Sequence, residues 1–202
     1  MPDPRALGLL LSSTFLFLAP AALAEPEELT PHAFKKIVER TQPAVVRVAA
    51  RPFGTAVLVG VKGELIADSR LVGKDGLEVD LKDGRLRATL IGKDDELGLA
   101  LLRLPQGDYP AAAVGSGGAL SPGSALVGLS FDEKGALRAE VGHFAGTKAA
   151  KGAQHLRTDV AGPAGTALFN SKGQLVALHA GRPRATFSID EVRARFVPPR
   201  SP

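Results

Sequence analysis

Cleaving an acyl bond takes a nucleophile, a base within hydrogen-bond reach of it, and a carboxylate that orients the base. Those side chains are thinly spread in this sequence. Its 202 residues include no cysteine, so a thiolate can serve neither as nucleophile nor as metal ligand. Past the first forty residues the histidines are His143, His155 and His179. No histidine and carboxylate fall at ligand spacing on one element, so neither a metal nor a cofactor is expected. The remaining groups that could act lie in two places. Ser69, Arg70, Asp94, Asp95 and Glu96 precede or surround Gly98, and Thr166 stands two residues after Ala164. Asp94 or Asp95 is the expected partner of Arg70, as a surface ion pair.

The elements that must position these residues are mostly short strands. After Thr30 as N-cap and Pro31 at the first helical position, Ala33, Phe34, Ile37 and Val38 recur at helical spacing, which predicts a helix over 31–40 that Pro43 ends. Strands are then expected at 45–49, 55–59, 64–68, 77–81, 86–91 and 99–103, and again at 125–129, 137–144, 155–158, 166–170 and 174–179. Lys82-Asp83-Gly84-Arg85 and Ser171-Lys172-Gly173 supply hairpin turns, because Asp-Gly and Lys-Gly accept the backbone angles a tight turn requires. A short closing helix follows from Ser188 as N-cap and Glu191 as its capping-box partner, stopped by Pro198 and Pro199. Many short strands with little helical periodicity between them point to an all-β barrel or sandwich.

Composition sets the setting. With 45% hydrophobic and 23% charged residues the chain can bury an ordinary globular core. Arg5, an apolar run through Leu18 and Ala22-Leu23-Ala24 read as a secretory signal peptide over 1–24, the other reading being a retained membrane anchor. A domain over 43–197 would then follow an N-terminal lead and helix at 25–42, leaving 198–202 as a disordered tail. The net charge of +4 is mild, and the arginines cluster only at Arg182, Arg184, Arg193, Arg195 and Arg200. With few aromatics, that is a solvated basic tail rather than a nucleic-acid surface.

Thr158 to Asn170, TDVAGPAGTALFN, resembles the catalytic stretch of the trypsin-like HtrA/Deg serine peptidases, whose PGNSGGALVN aligns with Ala161 to Asn170. Phe34 to Val48 is similar to the family's helix and PAVV strand. Gly54 to Arg70, GTAVLVGVKGELIADSR, resembles GSGFIVDKDGYIVTNNH; Gly84 to Leu102 resembles the strand that supplies the acid, and Gly173 to His179, GQLVALH, follows GELIGIN. The resemblance implies a trypsin/chymotrypsin-like double β-barrel with a short N-terminal and a short C-terminal helix. It also implies where the triad would sit: Arg70 at the histidine, Gly98 at the aspartate and Ala164 at the serine.

None of those three residues can do the family's chemistry. A guanidinium stays protonated and only donates, glycine has no side chain, and an alanine methyl has no lone pair. Gly162, Pro163 and Ala164 fall where the resemblance implies an oxyanion loop, but Pro163 lacks an N–H and fixes φ, which argues against the needed curl. His143 and His155 stand where the family carries apolar residues and read as packing or surface positions. The expectation is an exported pseudopeptidase, periplasmic or secreted, binding an extended peptide or a protein partner, or acting as a decoy beside an active relative. The alternative is an active endopeptidase with a non-standard centre, drawing on Thr166 or another hydroxyl. By the resemblance, a peptide would add to a free edge at Leu178, His179 and Ala180, with Arg70 opposite favouring an acidic peptide or a C-terminal carboxylate. The chain ends soon after Phe196, so no PDZ module is expected, and the resemblance fixes no oligomeric state.

Overall fold

The computed structural model describes residues 25–50, 53–150, 153–181 and 185–196. The expected signal peptide and tail lie outside the described residues. Helix α1 (Pro31–Thr41) starts as the sequence dictates: the Thr30 hydroxyl accepts the Ala33 N–H at 3.2 Å, with Pro31 opening the first turn. Ile37 is its buried anchor, and the Thr41 hydroxyl donates back to the Ile37 carbonyl at 2.8 Å.

Six antiparallel strands then close a first barrel: β1 (Val45–Val48), β2 (Gly54–Leu58), β3 (Glu64–Asp68), β4 (Leu77–Leu81), β5 (Gly84–Asp94) and β6 (Leu99–Arg103), in the order β1-β2-β3-β6-β5-β4. A second barrel repeats the scheme with β7 (Ala125–Phe131), β8 (Leu137–Ala150), β9 (Ala153–Thr158), β10 (Ala167–Asn170), β11 (Leu175–Ala180) and β12 (Ala185–Ser188), in the order β10-β11-β12-β9-β8-β7. Closure leaves neither barrel an open sheet edge. Leu58, Leu65 and Leu102 fill the first barrel, and Leu126, Leu168 and Val176 the second, all with no exposed area. The barrels meet along β2, which is buried on both faces; its Thr55 hydroxyl accepts the Phe131 N–H of β7 at 2.8 Å. Helix α2 (Ile189–Phe196) follows β12 and packs back on the second barrel through Ile189 and Val192. No described helix is long and apolar enough to cross a membrane.

The double barrel and its two flanking helices agree with the expected fold class, and the differences are local. β5 runs over 84–94 rather than 86–91, and β8 reaches Ala150, each with a bulge that resets its register (between Leu90 and Gly92, and between Phe144 and Gly146). β12 was not expected at all. Four residues that run straight into a helix cap carry too little alternation to read as a strand, and only pairing with β11 and β9 makes them one. The closing helix keeps half of its capping box: Ser188 Oγ accepts the Glu191 N–H at 3.1 Å, while the Glu191 carboxylate turns to Arg195, 3.5 Å away.

Candidate functional site

The three positions singled out in the sequence lie at strand ends around one junction between the barrels. Arg70 sits in the short 3₁₀ turn that leaves β3, Gly98 immediately precedes β6, and Ala164 lies in the loop that enters β10. The Ser69 N–H donates to the Gly98 carbonyl at 3.0 Å, which fixes Gly98 behind Arg70. Gly98 has φ +67°, a conformation that favours glycine. Arg70 and Ala164 line a cleft of about 450 Å³ with Val160, Ala161, Gly162, Pro163, His179, Ala180, Gly181, Ala185 and Thr186.

Arg70 does not pair with Asp94 or Asp95. Its Nε donates to Asp68 Oδ1 at 2.9 Å and its Nη2 to Asp68 Oδ2 at 2.8 Å, and the Arg70 backbone N–H donates to the same Oδ1 at 2.8 Å. Asp68 is 1% exposed at its side chain and Arg70 54%, so the carboxylate is fixed from within and the guanidinium lies on the cleft wall. The hydrogen bond to Asp68 holds the Arg70 pKa above its ordinary value. Asp94 instead accepts the Leu97 N–H and faces Arg195, and Asp95 faces Lys93. An acid on a turn and an acid two residues away were both open to Arg70. The nearer one won because it caps the 3₁₀ turn and binds the side chain at once. The A-D-S-R string was the signal available in the sequence.

Both members of the pair lie against Gly181, where a Cβ would collide with Arg70 Nη2 and Asp68 Oδ2. The ion pair therefore uses the space that a glycine at this position leaves open. Gly181 is the second residue that sequence reasoning passed over.

The loop before β10 makes a turn that starts at Pro163. The Pro163 carbonyl accepts both the Thr166 N–H at 3.2 Å and the Thr166 hydroxyl at 2.7 Å, closing a turn over 163–166. Pro163 supplies only its carbonyl to this turn, so its missing N–H is not one the turn uses, and Gly165 takes the second corner with φ +88°, where such a turn favours glycine. In the trans peptide that joins Pro163 to Ala164, the N–H points opposite to the carbonyl, so the Ala164 N–H faces away from Thr166. It has no acceptor among the described residues. Thr166 is 1% exposed, with its hydroxyl spent on Pro163.

His179 is half-buried on the cleft wall. Its Nδ1 lies 2.8 Å from Thr186 Oγ1 and its Nε2 3.1 Å from the Val160 carbonyl. A carbonyl only accepts, so Nε2 carries a proton; in the neutral ring Nδ1 then accepts from the threonine hydroxyl. Burial lowers its pKa; the Val160 carbonyl and the charge of Glu140 oppose this with smaller effects. His143 lies 3.6 Å from Asp159, and the His155 ring stands edge-on to Phe187 at 4.9 Å.

The free edge expected at Leu178, His179 and Ala180 is occupied. On one side Leu178 pairs with Ala167, the His179 N–H donates to the Thr166 carbonyl at 2.9 Å, and the Gly165 N–H donates to the His179 carbonyl at 2.8 Å. On the other side Leu178, His179 and Ala180 pair with Phe187, Thr186 and Ala185 of β12. By strand alternation, Gly181 is the next residue to turn its N–H and carbonyl towards the side where β10 has ended. The edge is displaced because β12, invisible in the sequence, takes the outer side of β11. Among the described residues no set of three histidine, aspartate or glutamate side chains converges as metal ligands do.

Two six-stranded antiparallel barrels with a cleft at their junction, lined by the ends of β3, β10 and β11, define the chymotrypsin type of fold. The chain belongs to the trypsin-like peptidase domain family, whose model matches residues 54–178, more than half of the 202. A probable periplasmic serine endoprotease of DegP-like type from Hahella chejuensis (strain KCTC 2396) is 30% identical over 144 residues, 65% of this chain. The chain spans 30% of that relative's length. The HtrA-type protease AlgW with a tripeptide superposes with a TM-score of 0.71 at 20% identity, over 80% of this chain and 62% of its own. AlgW with a decapeptide gives 0.67 at 19% identity, over 78% and 64%. At those identities the likeness is one of fold.

Proposed function

We propose that the protein is an exported HtrA/Deg-like homologue without peptidase activity, whose cleft binds a peptide or protein segment. The observation that carries this reading is the Arg70–Asp68 pair at the place where the family resemblance puts the base. A guanidinium held by two hydrogen bonds on a buried carboxylate cannot take a proton from a nucleophile. Ala164 offers no nucleophile, the Thr166 hydroxyl is committed to Pro163, and the imidazole that lines the cleft, His179, has both ring nitrogens engaged. Loss of one triad member costs about 10⁴ to 10⁶ in turnover where such residues act as a unit. The AlgW structures carry peptides, and the cleft here is open with its loop curled, which supports binding as the retained activity. Export is read from residues 1–24 and would leave a mature chain beginning at Glu25, checked by amino-terminal sequencing of the processed product.

The test is hydrolysis of unfolded casein by the purified protein beside its Ala164→Gly variant. No cleavage above buffer is expected from either. Cleavage by both would overturn the reading and direct the search to another hydroxyl.

A further inference from the structure

A guanidinium has two edges that can each bind a carboxylate, and Asp68 takes only one. It occupies Nε and one N–H of Nη2. The end-on edge, Nη1 with the second N–H of Nη2, remains. Nη1 has no acceptor among the described residues, and the side chain is 54% exposed on the cleft wall. In the same cleft the turn at 163–166 turns the Ala164 N–H away from Thr166 and leaves it without an acceptor, and among the described residues no aspartate or glutamate lines the cleft. The cleft these donors share also has short walls, with Ala161, Ala180 and Ala185 among its lining residues.

We propose that the cleft takes the free C-terminus of a peptide, its terminal carboxylate on the outer edge of Arg70 and the Ala164 N–H, and its last side chain, small and apolar, in the alanine-walled recess. The inference rests on the cleft being one that binds rather than cleaves. A chain end fits better than an acidic side chain because it carries a carboxylate and a side chain on one Cα, so donors and recess are filled together. The buried Asp68 holds the fork at a fixed angle, so little side-chain freedom is lost on binding. It also shares the cation's charge, which limits the preference for a carboxylate to tens-fold rather than thousands-fold.

The test is fluorescence anisotropy with a labelled hexapeptide, Gly-Ser-Gly-Ser-Ala-Val, as the free acid and as the C-terminal amide. A third peptide is amidated and carries glutamate in place of the final valine. The free acid is expected to bind at least tenfold more tightly than either amidated peptide. Arg70→Gln should abolish that preference. Because this change uncovers Asp68, a second variant, Ala185→Phe, fills the recess without touching the ion pair and should weaken the free acid at least tenfold. Equal binding of acid and amide by the wild type would overturn the carboxylate site while leaving a peptide-binding cleft. Equal binding of the glutamate peptide and the free acid would overturn recognition of the terminus. Failure of all three peptides to bind would overturn this inference, and casein cleavage surviving Ala164→Gly would separately overturn the reading of a non-cleaving cleft.

Discussion

Arg70 closes over Asp68 with two near-parallel hydrogen bonds of 2.9 and 2.8 Å, although Asp68 is 1% exposed and Arg70 more than half exposed. The asymmetry decides what each substitution does. Removing Arg70 leaves a buried carboxylate with only the Arg70 backbone N–H as donor, whereas removing the charge of Asp68 leaves a guanidinium that water can solvate. Arg70→Gln is expected to cost about 1–3 kcal/mol, discounted from a fully buried pair because water reaches the guanidinium. Asp68→Asn should cost less, and in the double variant the two losses should fall short of their sum. Urea unfolding of the four proteins checks this; strictly additive losses would show that the pair is not coupled.

Restoring the family's triad should not need all three replacements. Asp68 already places a carboxylate beside the side chain of residue 70 and against Gly181. An aspartate at position 98 would have to adopt φ +67°, at a cost of about 1 kcal/mol. Arg70→His with Ala164→Ser is therefore expected to gain casein hydrolysis over the wild type, with Asp68 orienting the imidazole. Adding Gly98→Asp should bring no further gain in rate and a lower urea midpoint. A gain that appears only with all three changes would show that Asp68 cannot take the orienting role.

How far the sequence reached depends on the range of the interaction involved. The strands and hairpins were legible because alternation and the Asp83-Gly84 and Lys172-Gly173 turns are local signals, and the double barrel followed once the family resemblance set their order. Choices between partners were not legible. Nothing local distinguishes Asp68 from Asp94 as the mate of Arg70 until β3 ends in a turn that Asp68 caps. The edge of β11 was misplaced for the same kind of reason: β12 exists only through its pairing with β11 and β9, and without it Leu178 to Ala180 reads as open. Thr186, the partner of His179, lies on that same unread strand.

His179 gives the fold a dependence on pH whose sign follows from its environment. Burial depresses its pKa in the folded protein below the ordinary 6.5, so the folded ring stays neutral while an unfolded chain takes up a proton. The contribution to stability is whole above about pH 6.5 and falls as the pH drops from there towards the depressed folded value. His179→Gln can keep a donor to the Val160 carbonyl and cannot titrate. Urea midpoints for wild type and variant are expected to run in parallel above pH 7 and to converge as the pH falls towards 5. Curves that stay parallel throughout would mean that the ring titrates normally in the fold.

Arg195 ties the two barrels together from the far end of the chain. It lies on α2, which packs on the second barrel, yet its Nη1 is 2.9 Å from Glu96 and 3.6 Å from Asp94, at the turn between β5 and β6 of the first. Glu191, one turn earlier on α2, completes the cluster at 3.5 Å. Three carboxylates around one guanidinium repel one another when it is removed, so Arg195→Ala should lose more than a single surface pair would. That loss must be sensitive to salt, since the charges are reached by solvent and the screening length shrinks to about 3 Å at 1 M. The expected result is a lowered urea midpoint for Arg195→Ala at 20 mM salt that largely recovers towards wild type at 1 M. Arg195→Lys, which keeps the charge and loses the fork, should fall between the two at low salt. A deficit unchanged by salt would assign the contribution of Arg195 to packing of its stem rather than to the charges at 94, 96 and 191.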